Sequence, residues 1–440
     1  MKTMFNIKTH SALIYFSLLT FAFILCPLSF ILVSCNTTEP PPDNDKPKPT
    51  LSLSLDDTSP TEVWLNLTTT DLELPNEIIL FRDGDTSQII TLTESEITLY
   101  DDLLLPSRSY TYNVSSDKHQ VTSNEVSVVT MDTTSHDFTW QTFTFGGEGG
   151  SSYLLDVAII DENNIWAVGM IYTADDTFSA VHWDGNGWEL KKIANSSYPR
   201  STVYAFNEKD IWFDGTIQWD GYTYSVHNNG FPLDPNGHGW RRNAMWGKSS
   251  SDFYVVGNNG NIAHYNGNSW TKIESGTFLD FQDIWGDYNE KTQEWEVLAV
   301  ASNHLSGYER EIVKIEGDRI KSISNEPLTS TISSTWFISS RKYLIGGSGI
   351  YSKAQIDQIN WQKENTINKY YTYKIRGNSI NDIVAVGGYG DLQLYNGINW
   401  RSQYEITKID GNYRSVSTKG NIVVAAGQHN AEAVITIGRR

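Results

Sequence analysis

The 440-residue chain is 39% hydrophobic and only 19% charged, a composition that excludes disorder as the default state and fits two or three folded domains. Its 33 glycines, 15 tryptophans and 23 tyrosines, without long helical periodicity, predict an all-β protein of many short strands and tight turns. After Cys35 the chain carries 31 basic and 52 acidic residues, a net charge of about −21. This balance argues against nucleic acid and against an anionic lipid surface as partners, since both reward basic patches.

The first 35 residues have the pattern of a targeting segment. Lys2 and Lys8 give it a basic start, residues 11–34 are almost wholly apolar, and the segment ends in the letters LVSC at Cys35. This ending resembles a bacterial lipobox, which implies that Cys35 is diacylated and becomes the new N-terminus. The alternative is an uncleaved membrane anchor, because about 20 apolar residues span a bilayer.

A lipid on Cys35 predicts a protein of the cell envelope, and Asn36 directly after it is compatible with sorting to the outer membrane. We expect the protein to face either the periplasm or the cell surface. Cys26 follows a bulky leucine inside the apolar run and is a poor cleavage site, so the mature chain has no cysteine for a disulfide or a zinc site. Residues 36–50 are polar and proline-rich, which predicts an extended tether.

Residues 51–133 contain seven short runs of alternating apolar and polar residues, which predict a β-sandwich. The segment resembles a fibronectin type III domain in Trp64, in the FRDG hairpin ending at Gly84, and in the run LLPSRSYTYNV around Tyr110. The resemblance implies that Tyr110 hydrogen-bonds back to the chain near the corner before its strand and that Trp64 lies in the core. Such domains serve as spacers or adhesion modules.

Residues 138–440 are organised as a repeat whose most complete copy is 244–273, AMWGKSSSDFYVVGNNGNIAHYNGNSWTKI. The copy holds four strand-length apolar runs bounded by Gly, Asn or Ser, and a sheet this small needs neighbours to bury its faces. Seven such units follow one another, with the second, fourth and fifth eroded. The pattern WGxSxxD, VGxxG, YNGxxW resembles repeats of exported bacterial β-propellers, a largely uncharacterised group.

The seventh unit stops at Arg440 after three strands, and the segment 138–145, with Trp140, has the pattern of the missing outer strand. We therefore predict that residues 138–145 complete the last blade and close a seven-bladed propeller. Closure removes open sheet edges. The eroded units leave six or eight blades open as alternatives.

Several chemically tempting residues recur at fixed blade positions, which indicates a role in the scaffold. His182 and His264 occupy one such position, and Asp210, Asp252 and Asp382 occupy another, where we expect the carboxylates to accept backbone N–H groups of the turn. The outer-strand tryptophans are expected between blades. No metal ligand, cofactor or catalytic residue is predicted from this set.

The insertions that break the repeat are the better guide to function. Most fall between second and third strands or between one unit and the next, and these connections open on the same face. Exposed aromatics with arginines are typical of recognition surfaces, although they can also pack their own loops. The candidate ligand-binding residues are Tyr172, Arg200, Phe231, His238, Trp240, Arg241, His304 and Tyr308. A further insertion, 287–296, is expected on the opposite face.

Two functions remain open from the sequence. The first is a lipid-anchored binding or scaffold protein that presents a propeller face to a glycan, a peptide or an envelope protein. The second is a polysaccharide-active enzyme, a hydrolase or lyase with its site at the propeller funnel. The acidic loop residues form no recognisable catalytic pair, so the sequence favours the binding protein.

Overall fold

The computed structural model describes residues 47–234, 236–303, 309–367 and 370–440. The predicted targeting segment, Cys35 and most of the predicted tether lie outside the described residues, as do His304 and Tyr308. From Pro49 onward the chain forms one compact unit. In the described ranges no helix has both the length and the apolar character needed to cross a membrane.

The segment after the tether folds into two antiparallel sheets. One has the order β1-β2-β5, and the other β4-β3-β6, with β7 and β8 both pairing with β6. The strands are β1 (Thr50–Thr58), β2 (Val63–Thr70), β3 (Asn76–Arg82), β4 (Asp85–Leu92), β5 (Glu96–Asp101), β6 (Ser109–Ser116), β7 (Val121–Thr122) and β8 (Val126–Val129). Strand β1 shows why they form: Leu51 and Leu53 are buried, while Ser52 and Ser54, which alternate with them, are exposed.

Two contacts expected from the sequence can be checked in this sandwich. The hydroxyl oxygen of Tyr110 accepts a hydrogen bond from the backbone N–H of Leu105 at 2.9 Å, which confirms the expected corner contact. Trp64 is only 2% exposed, but it does not belong to the sandwich core. Val63 and Leu65 face the core, and alternation along β2 turns Trp64 to the opposite face of the sheet. The expectation that Trp64 lies in the core of the sandwich was therefore wrong, because Trp64 is buried on the other face of the sheet.

The rest of the chain forms seven four-stranded antiparallel sheets in the described ranges. One short α-helix, α1 (Tyr404–Thr407), follows the sixth sheet, and a 3-10 turn (Ile193–Asn195) follows the first. The seventh sheet has the order β34-β35-β36-β9, and every other sheet follows chain order. The strands are β9 (Thr139–Phe145), β10 (Tyr153–Asp161), β11 (Asn164–Tyr172), β12 (Thr177–Trp183), β13 (Trp188–Lys191), β14 (Val203–Asn207), β15 (Asp210–Phe213), β16 (Ile217–Trp219), β17 (Tyr224–Val226), β18 (Arg242–Ser249), β19 (Asp252–Gly257), β20 (Asn261–Tyr265), β21 (Trp270–Glu274), β22 (Phe281–Asn289), β23 (Glu294–Ser302), β24 (Arg310–Glu316), β25 (Arg319–Ile323), β26 (Ile332–Ile338), β27 (Lys342–Gly347), β28 (Gly349–Lys353), β29 (Gln362–Lys363), β30 (Thr372–Ser379), β31 (Asp382–Gly387), β32 (Leu392–Tyr395), β33 (Trp400–Ser402), β34 (Gly411–Lys419), β35 (Ile422–His429) and β36 (Glu432–Arg439).

The seven sheets close into a ring, which is the arrangement of a β-propeller. Each first strand contacts the first strand of the next sheet, and β34 contacts β10. The closing contact is the pairing of β9 with β36, in register from Thr139↔Arg439 to Phe145↔Ala433. This confirms the prediction that residues 138–145 supply the missing outer strand.

The second strands show how the core lies between sheets. In β19, Phe253 and Val255 pack toward the second sheet, whereas Tyr254 and Val256 pack toward the fourth. Because alternate side chains of a strand point to opposite faces, both faces of each sheet are covered by its neighbours. This explains the nearly continuous apolar runs in these strands.

The centre of the ring holds a buried ion network built on Asp283. Its carboxylate has 0% exposure and accepts hydrogen bonds from Lys374 Nζ (2.7 Å), from Arg376 Nη1 and Nη2 (2.9 and 2.8 Å), and from Ser334 Oγ (2.7 Å). Burial alone would raise the pKa of Asp283, but the charges of Arg376 and Lys374 hold it well below its usual range. The network links the fourth, fifth and sixth sheets.

The repeated acidic position before the second strand binds side chains as well as shaping a turn. Asp210 Oδ1 accepts from Gln218 Nε2 at 2.8 Å, and Asp252 Oδ1 lies 2.8 Å from His264 Nε2. Asp382 pairs with Arg440. The acceptors expected to bind backbone N–H groups thus bind side chains. Gln218 and His264 lie opposite Trp212 and Tyr254, diagonal to the two carboxylates, and Arg440 follows β36 of the neighbouring seventh sheet.

The sandwich packs against one end of the propeller, at turns between first and second strands. In the turn after β26, Arg341 binds Asp57 Oδ2 through Nε (2.7 Å) and Asp56 Oδ2 through Nη2 (2.8 Å), and its guanidinium lies 5.0 Å from the Trp64 ring centre. A β-bulge between Leu55 and Asp57 allows two consecutive carboxylates to reach one guanidinium.

The insertion 287–296 contributes to the same contact. It extends the β22–β23 hairpin, and its Lys291 binds Asp56 Oδ2 (2.8 Å) and Thr98 Oγ1 (2.6 Å) of the sandwich. As the sequence predicts, this insertion lies on the face opposite the other long loops. The opposite end of the propeller is where those loops lie.

Candidate functional site

The end of the propeller away from these turns is built from two kinds of connection, and we call it the inserted face. One kind joins second and third strands within a sheet, and the other joins the outer strand of a sheet to the next sheet. Antiparallel order brings both kinds to the same end. The long connections 192–202 and 227–241 lie here, beside the short turn 214–216 of the second sheet.

A tightly held carboxylate lies at the centre of this region. Asp214 adopts a left-handed backbone conformation (φ 47°), which a residue other than glycine rarely adopts. Its Oδ1 accepts the backbone N–H groups of Ser201 (2.8 Å) and Thr202 (3.2 Å), and its Oδ2 accepts Arg200 Nη1 (3.3 Å). These contacts fix the connection 192–202 onto the turn and place the Arg200 guanidinium at the surface of the face.

A second guanidinium lies nearby, and its environment differs from that of Arg200. Arg242, at the start of β18, stacks over Phe231 at 4.5 Å and lies 5.8 Å from the Trp240 ring. Within the described ranges it forms no ion pair within 4.0 Å. Burial lowers the pKa of Arg242 from its ordinary value, Asp214 opposes that change, and the positive charge of Arg200 adds to it. Asp214 is therefore hydrogen-bonded to Arg200 and acts on Arg242 only through its charge.

Polar atoms without hydrogen-bond partners gather around this pair. In the described part of the chain, the buried atoms Arg200 Nε, Thr202 Oγ1 and Arg242 Nε have no partner. Most buried polar groups in proteins are paired, so these atoms are available to a polar or charged group that enters the site. We call Arg200, Thr202, Asp214 and Arg242 the arginine cluster. Its donors and net positive charge suit an anionic group.

The loop before β18 forms an aromatic wall beside the arginine cluster. Trp240 is only 4% exposed, and its indole N–H donates to the Pro232 carbonyl at 2.9 Å. Phe231 packs on Trp240 (5.1 Å between ring centres) and on Trp270 (4.8 Å). The expectation that Trp240 is an exposed contact residue was therefore wrong, because it anchors its own loop. Phe231 is half-buried and reaches Arg242.

The tip of the same loop carries the exposed candidates. Asp234 Oδ1 accepts the backbone N–H of His238 (2.8 Å), which is the largest influence on Asp234 and holds the pKa of its carboxyl below the usual range. The His238 and Arg241 side chains are exposed beyond this turn. The structure thus brings Arg200, Phe231 and the 238–241 segment to one region.

The remaining sequence-derived candidates are elsewhere. Tyr172 ends β11, where its half-buried ring packs against Gly150 at the connection between β9 and β10. His304 and Tyr308 lie outside the described residues. On the inserted face, a cavity of about 580 Å³ is lined by residues that include the exposed Phe278 together with Glu311 and Asn325.

Sequence reasoning did not select Thr202 or Asp214, and it placed Arg242 among the arginines of the long loops without choosing it as a candidate binding residue. The pair Asp214-Gly215 has the pattern of a tight turn, and its second role depends on a partner 14 residues away. Arg242 opens a strand, and nothing local distinguishes it from Arg241. The available signal was the arginine content of the two connections that flank the second sheet.

Comparison with known proteins bears on the fold. No family model matches the chain, and no curated protein matches it. The structure of YCF48 bound to D1 peptide is similar, with a TM-score of 0.51 at 16% identity, covering 68% of this chain and 95% of that one. YCF48 from Cyanidioschyzon merolae has a TM-score of 0.49 at 14% identity, covering 67% of this chain and 98% of that one. The computationally designed protein Ika8 has 0.45 at 13%, with coverage of 67% and 98%. The first similarity supports the β-propeller fold.

Proposed function

We propose that the protein is a lipid-anchored binding or scaffold protein of the cell envelope, whose inserted face holds a peptide segment of a partner protein through a carboxylate. The observation that carries the proposal is the arginine cluster, in which two guanidiniums have buried, unpaired Nε–H groups and only that of Arg200 is paired with a carboxylate. An anionic ligand group would supply the missing acceptors.

A carboxylate fits this site better than an isolated anion. A guanidinium presents its donors as a planar fork that matches the two oxygens of a carboxylate. Phe231 lies against Arg242, so an apolar side chain beside the ligand carboxylate would meet an aromatic ring. A peptide C-terminus, or an acidic residue next to an apolar one, has both parts.

The comparison with solved structures supports a peptide as the ligand class. YCF48, which shares the propeller fold, has been solved bound to D1 peptide. That observation concerns YCF48, and for this chain it is only a reason to test peptides first. A glycan on the inserted face remains the less favoured ligand, since a sugar would leave the guanidiniums without a charged acceptor.

The arrangement of the chain suits a protein held at a membrane. The proline-rich tether leads into β1 of the sandwich, and the sandwich packs on the propeller end opposite the inserted face. In this proposal the fibronectin type III-like sandwich is a spacer, Cys35 carries the lipid in the outer membrane, and the inserted face stays free for a partner.

The test uses the full chain in detergent and two bead-displayed random decapeptide libraries, one with free C-terminal carboxylates and one with amidated ends. We expect selective retention by the carboxylate library. For a selected peptide, Arg242→Ala should weaken binding by about 10- to 100-fold, because one charge-assisted hydrogen bond contributes about 1.5–3 kcal/mol. Binding is measured by fluorescence polarisation.

Two variants make the test specific. Arg242→Lys keeps the charge but loses the fork, so it should recover only part of the affinity. Arg319→Ala is the matched control, because Arg319 is 88% exposed in side chain and lies in a turn at the opposite end. Equal retention of both libraries, together with unchanged affinity in Arg242→Ala, would refute the proposal.

A further inference from the structure

A second concave site lies on the side of the propeller away from the inserted face. It is a groove of about 710 Å³ between the third and fourth sheets, a size within the range of about 300–1,000 Å³ typical of small-molecule sites. One wall comes from β18, β19 and β20, and the other from the extended β22–β23 hairpin and the end of β24. The arginine cluster contributes nothing to it.

Aromatic rings form both walls of the groove. Trp295, on the hairpin, is 43% exposed and lies 5.5 Å from the Trp246 ring centre across the groove floor. Tyr254 and His264 stack at 4.5 Å on the opposite wall. Within the described ranges the Trp295 indole N–H has no hydrogen bond. An exposed indole in a concave site is a flat platform for the apolar face of a ligand.

The charged groups of the groove are largely paired and leave its lining net negative. On one wall, Asp252 lies 2.7 Å from Lys248 Nζ and 2.8 Å from His264 Nε2. On the other, Lys314 lies 3.3 Å from Glu296 and 3.7 Å from Glu316. With Glu294, the lining carries two lysines against four carboxylates, so the groove offers many hydrogen-bonding atoms and disfavours an anionic ligand.

Four of the strands around the groove have no free edge. Strands β19, β20, β23 and β24 are the second and third strands of their sheets, so each pairs on both sides. An extended peptide gains much of its affinity by pairing with a strand edge, which is absent from these four strands. Along them a ligand is recognised by side chains.

The hairpin that carries Trp295 is held in place from outside the groove. Its turn residue Lys291 binds Asp56 and Thr98 of the sandwich. Holding the platform before the ligand arrives reduces the entropy lost on binding. The insertion 287–296 thus attaches the sandwich to the propeller and also fixes the position of Trp295.

We propose that this groove binds a neutral oligosaccharide, with a sugar ring stacked on Trp295 and ring hydroxyls bound by Asp252, His264 and Thr292. Sugars combine apolar C–H faces with a rim of hydroxyl groups that both donate and accept. That combination matches an indole platform flanked by paired polar side chains that both donate and accept hydrogen bonds. This site is separate from the proposed peptide site, and either can fail without the other.

The experiment is isothermal titration of the full chain in detergent with the hexasaccharides of cellulose, amylose, chitin, laminarin and xylan. We expect binding of at least one of them. Trp295→Ala should weaken it by about tenfold through loss of the stacking surface, and Trp295→Phe should weaken it less. Because Trp295→Ala also removes contacts to Trp246, a second variant, Thr292→Arg, blocks the groove from an exposed turn.

Controls separate this groove from the inserted face. Phe278→Ala removes an exposed aromatic ring of the inserted face and should leave the affinity unchanged, as should Arg242→Ala. Circular dichroism confirms that each variant is folded. Binding of none of the hexasaccharides overturns the proposal. So does an affinity that survives both Trp295→Ala and Thr292→Arg, and so does a loss produced by Arg242→Ala but not by Trp295→Ala.

Discussion

Arg341 offers the sharpest test of how the sandwich is attached, because a single side chain makes two hydrogen bonds to carboxylates and an aromatic stack across the contact. Its guanidinium is only 11% exposed, binds Asp56 and Asp57, and stacks over Trp64. The substitution Arg341→Ala removes all three contacts at once. The propeller and the sandwich each keep their own core, so the variant should stay folded.

The size of the effect follows from these contacts. A hydrogen bond to a charged group contributes about 1.5–3 kcal/mol, and a cation over an aromatic ring about 0.5–1 kcal/mol at an exposed site. Asp57 is partly exposed, and Asp56 keeps Lys291 as a partner, so the low end applies. We expect a loss of about 3 kcal/mol of docking free energy, which is about a hundredfold shift toward the undocked state.

Native-state hydrogen exchange read by mass spectrometry measures this shift. The most informative amide is that of Thr134, which donates to the Asn396 carbonyl across the contact at 3.3 Å. Its exchange should accelerate up to about a hundredfold in Arg341→Ala, while amides of the central strands keep their protection. Arg319→Ala, an exposed arginine in a turn of the fourth sheet, is the control.

The result that would refute this reasoning is unchanged exchange at residues 131–137 in a folded Arg341→Ala protein. The sandwich would then be held by apolar packing alone. Acceleration throughout the propeller would also contradict it, because the contact would then support the propeller fold itself.

Three further predictions concern the core, the pH and the anchor. Asp283→Ala should lower the free energy of unfolding by about 3–5 kcal/mol, because it leaves Lys374 and Arg376 buried without their carboxylate. Denaturant titration measures the loss, with Asp318→Ala as the control. A loss under about 1 kcal/mol would contradict the prediction. Burial alone would raise the pKa of Asp56, but Lys291 and Arg341 hold this pKa below its usual range. The contribution of Asp56 to docking is therefore complete above about pH 4 and is lost as the pH falls through the folded-state pKa. Small-angle scattering that shows equal docking at about pH 2 and pH 6 would exclude this role. Cys35→Ser should abolish incorporation of labelled palmitate and move the protein to the aqueous phase of a detergent partition, whereas an uncleaved anchor predicts no change.

The strands and their grouping could be read from the sequence because their signal is local. Apolar and polar residues alternate along a strand with a period of two, and the turn residues recur at fixed spacing in each unit. The closing strand could be deduced as well. The seventh unit has only three strands, and the isolated strand with Trp140 has the pattern of the fourth. The corner contact of Tyr110 followed from a local resemblance.

Contacts between distant residues could not be read in this way. The sequence does not show that Trp64 faces Arg341, or that Asp283 meets Lys374 and Arg376, which lie 91 and 93 residues further along. The sequence also could not show whether Trp240 is exposed or buried, because a loop that binds a ligand and a loop that packs on itself can contain the same aromatic residues. Only packing decides it.

The sequence by itself therefore determined an all-β repeat, its closing strand and the face on which the long loops lie, because periodicity and antiparallel order are properties of neighbouring residues. The tertiary structure alone decided which side chains on that face have partners. Arg200 finds Asp214 and Arg242 finds only aromatic rings, since a charge is satisfied or left unpaired by whatever the folded chain brings within a few ångströms of it.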